Sequence, residues 1–124
     1  TSLGQDEIGE IGFSGSAADN VRRLAALAEA CGMDGVVCSP REVRALRAER
    51  AADFVLVTPG VRPAGAALDD QRRIMTPADA IAAGASYLVI GRPVTAADDP
   101  AARLAAINAE VENALARAGS LGKT

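Results

Sequence analysis

Arg62 and Arg92 each close a short apolar run and sit between Gly and Pro, in Phe54-Val-Leu-Val-Thr-Pro-Gly-Val-Arg-Pro63 and Tyr87-Leu-Val-Ile-Gly-Arg-Pro93. A guanidinium is a planar fork of N–H donors that matches phosphate or carboxylate oxygens. Gly91, just before Arg92, lets the backbone approach an anion closely. Between them, Asp69-Asp70-Gln71-Arg72-Arg73 supplies an amide at Gln71 that both donates and accepts. Such an amide can bridge a phosphate oxygen and a neutral heteroatom. These residue types support the grip of one anionic group by two neighbouring loops, and the ligand they suit is a phosphorylated small molecule. Each charge-assisted contact contributes on the order of 1.5–3 kcal/mol. Arg72 and Arg73 have a plainer reading, as solvated charges pairing with Asp69 and Asp70.

Other chemistries are excluded by composition. The 124 residues contain no His, and Cys31 and Cys38 lack metal-ligand spacing, so neither a zinc site nor a His-based triad fits within the chain. Both thiols read as reduced core groups of a cytoplasmic protein, one on a helix face and one in an apolar strand. A net charge of −3, no Trp and 2% aromatic residues leave neither a basic surface nor stacking platforms for nucleic acid. No apolar run is long enough to cross a bilayer, and no secretory signal is present. The first residue is Thr1 rather than Met, from which we expect sequence upstream.

The arginine loops need strands and helices to hold them. Residues 1–15 contain four Gly and read as a loop with a short helix around Gln5 to Ile11. Ser16-Ala-Ala-Asp19 has capping-box spacing and opens a helix with Val21, Leu24, Ala25, Ala28 and Cys31 on one face, stopped at Gly32. Gly35 to Cys38 is a short strand, and Ser39-Pro40-Arg41-Glu42 opens the next helix, with Val43 and Leu46 facing the core. Phe54 to Thr58 is a strand, followed by a long polar loop from Pro59 to Met75. Thr76-Pro77-Ala78-Asp79 caps a helix ended by Gly84. Tyr87 to Ile90 is a strand, Gly91 to Asp98 its loop, and Asp99-Pro100 opens a last helix that carries Leu104, Ile107, Val111 and Leu115 to about Ala118.

Strands and capped helices alternating at this spacing predict an α/β fold on a parallel sheet. Apolar runs without alternation suit strands buried on both faces. Such strands present ligand-binding loops at their carboxyl ends. A (β/α)8 barrel needs about 250 residues. The residues alone therefore leave two architectures open: a small open sheet or half of a barrel.

Leu56-Val-Thr-Pro-Gly-Val-Arg-Pro63, Asp70-Gln-Arg-Arg73, Ile74-Met-Thr-Pro77 and Val89-Ile-Gly-Arg-Pro-Val94 together resemble the carboxyl-terminal half of bacterial orotidine 5′-phosphate decarboxylases. Asp34-Gly-Val-Val-Cys-Ser39 and Thr1-Ser2-Leu3 resemble that family's sixth and fifth strand regions, so the likeness covers nearly the whole chain in order. It implies the carboxyl-terminal half of a (β/α)8 TIM barrel over residues 1–118, from the end of the fifth strand through the eighth βα unit, with 119–124 as a flexible tail. It also implies conversion of orotidine 5′-monophosphate (OMP) to UMP and carbon dioxide in pyrimidine biosynthesis, without metal or organic cofactor, in a cytoplasmic homodimer.

By the same resemblance, Thr1 contacts the pyrimidine and Gln71 spans pyrimidine and phosphate. Gly91 donates a backbone N–H, Arg92 clamps the phosphate, and Arg62 belongs to the loop that closes over the nucleotide. One departure is large. The family's catalytic Lys lies in an alternating Asp/Lys array, whereas the only Lys here is Lys123 and no Asp-x-Lys-x-x-Asp pattern occurs. The chain is thus expected to hold substrate, to contain no catalytic residue, and to need a missing amino-terminal half. A non-catalytic nucleotide-phosphate binding module, or a related sugar-phosphate decarboxylase or synthase barrel, remains the alternative. Half a barrel also exposes strand edges and an apolar inner face, so the isolated chain is expected to pair with a second copy or to aggregate.

Overall fold

The computed structural model describes residues 5–63 and 75–121, and its helices begin where side chains satisfy their free N–H groups. Ser16 Oγ accepts the Asp19 N–H at 3.1 Å and donates to Asp19 Oδ2 at 2.6 Å, opening α2 (Ala17–Ala30) behind a short α1 (Gln5–Glu10). The Ser16 hydroxyl holds the Asp19 carboxyl below the usual carboxylate range. Thr76 and Asp79 repeat the arrangement at 3.1 and 2.7 Å to open α4 (Pro77–Ala83). Asp99 Oδ1 accepts the Ala102 N–H at 3.0 Å to open α6 (Pro100–Leu121). Gly32 and Gly84 adopt φ of +79° and +107°, the left-handed stop that a side chain resists.

The remaining helix starts later than its sequence suggests. Glu42 reaches back to accept the Ser39 N–H at 2.7 Å, but Ser39 to Glu42 form a turn and α3 runs only from Val43 to Glu49. The loop after Tyr87–Val89 holds a four-residue helix, α5 (Arg92–Thr95), where an irregular segment was expected. The last helix continues to Leu121, so residues 119–121 extend a helix rather than beginning a tail.

Three parallel strands, β1 (Gly35–Val37), β2 (Val55–Pro59) and β3 (Tyr87–Val89), lie in the order β1-β2-β3. Val37 aligns with Val57, Val57 with Tyr87, and Pro59 with Val89. Gly35 is dictated by close approach, since a Cβ there would lie 2.1 Å from the Val55 carbonyl oxygen. One face of the sheet turns Leu56 and Thr58 onto α3 and α4, where Val43, Leu46 and Ala80 are fully buried. Burying a side chain such as Leu46 or Leu56 stabilises the fold by roughly 1.5–3 kcal/mol. Along this face the helices follow the order α2, α3, α4, α6.

The amino-terminal edge of the sheet is tied by Arg47. Its guanidinium donates to the carbonyls of Gly84, Ala51 and Ala52, each at 3.1 Å, and to Ser86 Oγ at 3.2 Å. Ser86 Oγ in turn accepts the Leu56 N–H at 3.0 Å, so one side chain joins α3, β2, α4 and β3. Glu49, drawn well below its ordinary range by the Arg22 guanidinium, links α2 to α3 at the surface.

Three expectations are corrected. Cys31 is exposed as the cap residue of α2, and only Cys38 is a core thiol. Leu24, Leu104 and Leu115 are exposed, while Ala25 and Ile107 are buried as expected and Ala114 is buried with them. Among the described residues the helices cover one face of the strands, and Val37, Tyr87 and Val89 lie exposed on the other. A continuous apolar run specifies two apolar faces without supplying what covers the second.

Candidate functional site

In a parallel βα array the strands end, and the following helices begin, on one rim. Here β2 and β3 are neighbours with Pro59 opposite Val89, so the two Gly–Arg segments leave the sheet side by side. On the first, Gly60 turns the chain at φ +79° and Val61 is buried as an anchor. Arg62 is exposed between that anchor and a buried Pro63. Its backbone N–H donates to the Met75 carbonyl at 3.2 Å, joining the two ends of the intervening loop. On the second, Ile90 packs against the core, and the Gly91 carbonyl accepts N–H groups from Val94 and Thr95 at 2.9 and 3.1 Å. Those bonds fix α5 and leave Arg92 exposed at its first position.

Like Arg41, Arg44 and Arg103, the two guanidinia are exposed, whereas four other arginines are engaged. Arg22 and Arg50 are paired with Glu49 and Glu29, and Arg23 donates to Asn20 Oδ1. Arg47 is committed to the opposite edge of the sheet. Among the described residues, neither Arg62 nor Arg92 has an ion-pair or hydrogen-bonded side-chain partner. A space above Gly91 is also open, since a Cβ there would meet nothing within 4 Å. Two cationic forks beside an accessible backbone suit a phosphate dianion.

Of the five candidate site residues, Arg62, Gly91 and Arg92 lie on this shared rim. Thr1 and Gln71 lie outside the described residues, as do Asp69, Asp70, Arg72 and Arg73. Two further positioning contacts were not anticipated from the sequence. Asn20, buried, donates to the carbonyls of Ser14 and Ser16 at 3.0 and 2.9 Å and so fixes the turn entering α2. Glu110 on α6 accepts the Ala78 N–H at 3.0 Å, holding the start of α4 just beyond the Arg62 loop. Glu110 has no local motif, because its partner depends on packing between elements, whereas the carbonyls that Asn20 meets lie only four and six residues back.

A family model described as orotidine 5′-phosphate decarboxylase / HUMPS family matches residues 1–107. An orotidine 5′-phosphate decarboxylase from Nitrosococcus oceani is 54% identical over 113 residues, which is 91% of this chain and 49% of that protein. Its counterpart from Halorhodospira halophila is 61% identical over 102 residues, 82% of this chain and 43% of that protein. The crystal structure of orotidine 5′-phosphate decarboxylase from Lactobacillus acidophilus superposes with a TM-score of 0.77 at 40% identity, covering 90% of this chain and 45% of that one. The Pyrococcus horikoshii structure, at 22% identity and a TM-score of 0.65, shares the fold. The chain spans about half the length of the curated relatives it matches. Its parallel sheet and helical layer are the carboxyl-terminal half of a TIM barrel, and the chain belongs to the orotidine 5′-phosphate decarboxylase / HUMPS family.

Proposed function

We propose that this chain is the substrate-holding half of an orotidine 5′-phosphate decarboxylase, which converts OMP to UMP and carbon dioxide. The observation that supports the reading is the Pro59–Val89 register, from which the segments carrying Arg62 and Gly91–Arg92 leave neighbouring strands at the same end of the sheet. In this reading Arg92 and the Gly91 N–H hold the phosphate, Arg62 closes over it, Gln71 spans phosphate and pyrimidine, and Thr1 meets the pyrimidine. The half-barrel takes in residues 1–118, and the assembled enzyme is a cytoplasmic homodimer without a cofactor.

The chemistry divides between the halves. Loss of carbon dioxide leaves a carbanion at the pyrimidine C6, which needs a nearby cation and a proton donor. Lys123 is the only Lys in this chain, so both come from the amino-terminal half. Phosphate contacts far from C6 supply binding energy that helps the bound substrate reach the transition state, but they transfer no proton. Alone, the chain is inactive.

The test is reconstitution. An amino-terminal half made separately from the Nitrosococcus oceani relative is mixed with this chain, and UMP formation is followed from OMP. Activity is expected only in the mixture. A folded complex that forms no UMP would overturn the reading.

A further inference from the structure

The buried stripe of α6 carries a carboxylate. Ile107 and Ala114 are buried, and Glu110, three residues after the first and four before the second, shares their face and is half-buried. An apolar side chain would pack there at less cost, because a carboxylate drawn out of water must find hydrogen-bond donors. Glu110 Oε1 accepts the Ala78 N–H at 3.0 Å, from 32 residues away along the chain. That contact completes the first turn of α4. Pro77, at its first position, has no N–H, and the Asp79 N–H is taken by Thr76 Oγ1. Ala78, between them, takes its partner from α6.

From this pinned turn the chain runs back through Thr76 to Met75, whose carbonyl accepts the Arg62 N–H at 3.2 Å. Val61, Pro63 and Pro77 are all buried, so little slack separates Glu110 from the Arg62 backbone. α5, which starts at Arg92, packs against α6 as well. Both arginine segments therefore bear on one helix, Arg62 through the Glu110 contact and Arg92 through α5.

We propose that Glu110 is a positioning residue for the phosphate grip: by fixing the start of α4, it sets where the Arg62 backbone stands relative to Arg92. Glu110 itself meets no ligand and acts through Ala78, Met75 and Arg62. The inference rests on the phosphate reading of the carboxyl rim, whereas its structural part, the link from Glu110 to Arg62, does not.

Glu110→Ala removes the acceptor, and Glu110→Gln keeps a carbonyl oxygen in its place. Glu110→Asp, which draws the acceptor back by one methylene, replaces Glu110→Ala if that variant fails to fold. Glu29→Ala is the control, because Glu29 also accepts a backbone N–H across elements, that of Ala51 at 3.0 Å, but at the amino-terminal end of β2. Amide hydrogen exchange on the full chain reads the link. In Glu110→Ala the Ala78 and Arg62 amides should exchange about tenfold faster or more, relative to those of β2. Glu110→Gln should restore their protection, and Glu29→Ala should leave both unchanged. UMP and uridine are then titrated into the complex of each variant with the amino-terminal half of the Nitrosococcus oceani relative. Glu110→Ala should weaken UMP about three- to tenfold and leave uridine unchanged, with Glu110→Gln close to the unsubstituted chain. An Arg62 amide that stays protected once Ala78 is released would overturn the link, whatever the nucleotides do. Equal weakening of UMP and uridine, unchanged UMP affinity, or no rescue by Glu110→Gln would overturn the positioning role. An unsubstituted complex that binds UMP no better than uridine would refute the phosphate reading and this role with it, while the exchange result would stand.

Discussion

A single side chain means different things on the two edges of this sheet. Arg47 spends all its reach on backbone carbonyls and a serine hydroxyl at the amino-terminal edge, while Arg62 and Arg92 stand exposed at the carboxyl edge. The Gly–Arg–Pro and Gly–Val–Arg–Pro segments were legible because Gly and Pro mark where a strand must stop. Arg47 gave no local sign, since its partners lie as far along the chain as Ser86. The two thiols show the same limit. Helical spacing places Cys31 at an angle on α2 but cannot say whether anything packs there. Burial pushes the Cys38 thiol up, partly opposed by the Thr58 hydroxyl at 3.9 Å, so it stays protonated at neutral pH. A disulfide reagent should therefore label one thiol per native chain, Cys31, and both after denaturation. Rapid labelling of both in the native chain would refute this assignment of the core.

Helix starts were the most legible elements, because a cap is local: Ser16, Thr76 and Asp99 each accept an N–H three residues on. The Ser39 turn is the exception. There the Glu42 contact forms, yet the helix begins only after it. Strand pairing was less legible, since Gly35 owes its identity to a neighbour across the sheet. Gly35→Ala should force β1 away from the Val55 carbonyl and cost about 1–3 kcal/mol, read as a lowered denaturation midpoint. Gly9→Ala, which meets nothing within 4 Å, is the control and should leave that midpoint unchanged or raise it. Equal effects at the two positions would mean that β1 does not pack as described.

At the scale of the molecule, an α/β array with a parallel sheet followed from alternation alone, but half a barrel did not. An apolar run reads alike whether its second face meets more protein of the same chain, another copy or solvent. The ordered set of rim segments made the choice, and the TM-score of 0.77 over 45% of a solved barrel bears it out. Successive βα units of a barrel each bring their own loop to the rim, so under the proposed function the grip on phosphate and the proton chemistry would sit on different stretches of chain. The most direct measurement is calorimetric titration of UMP and uridine into this chain reconstituted with an amino-terminal half. UMP should bind far more tightly than uridine, and Arg92→Ala should remove roughly ten- to hundredfold of that preference while leaving uridine binding unchanged. Equal affinity for the two ligands, or a preference that survives Arg92→Ala intact, would contradict the assignment of the carboxyl rim as the phosphate grip.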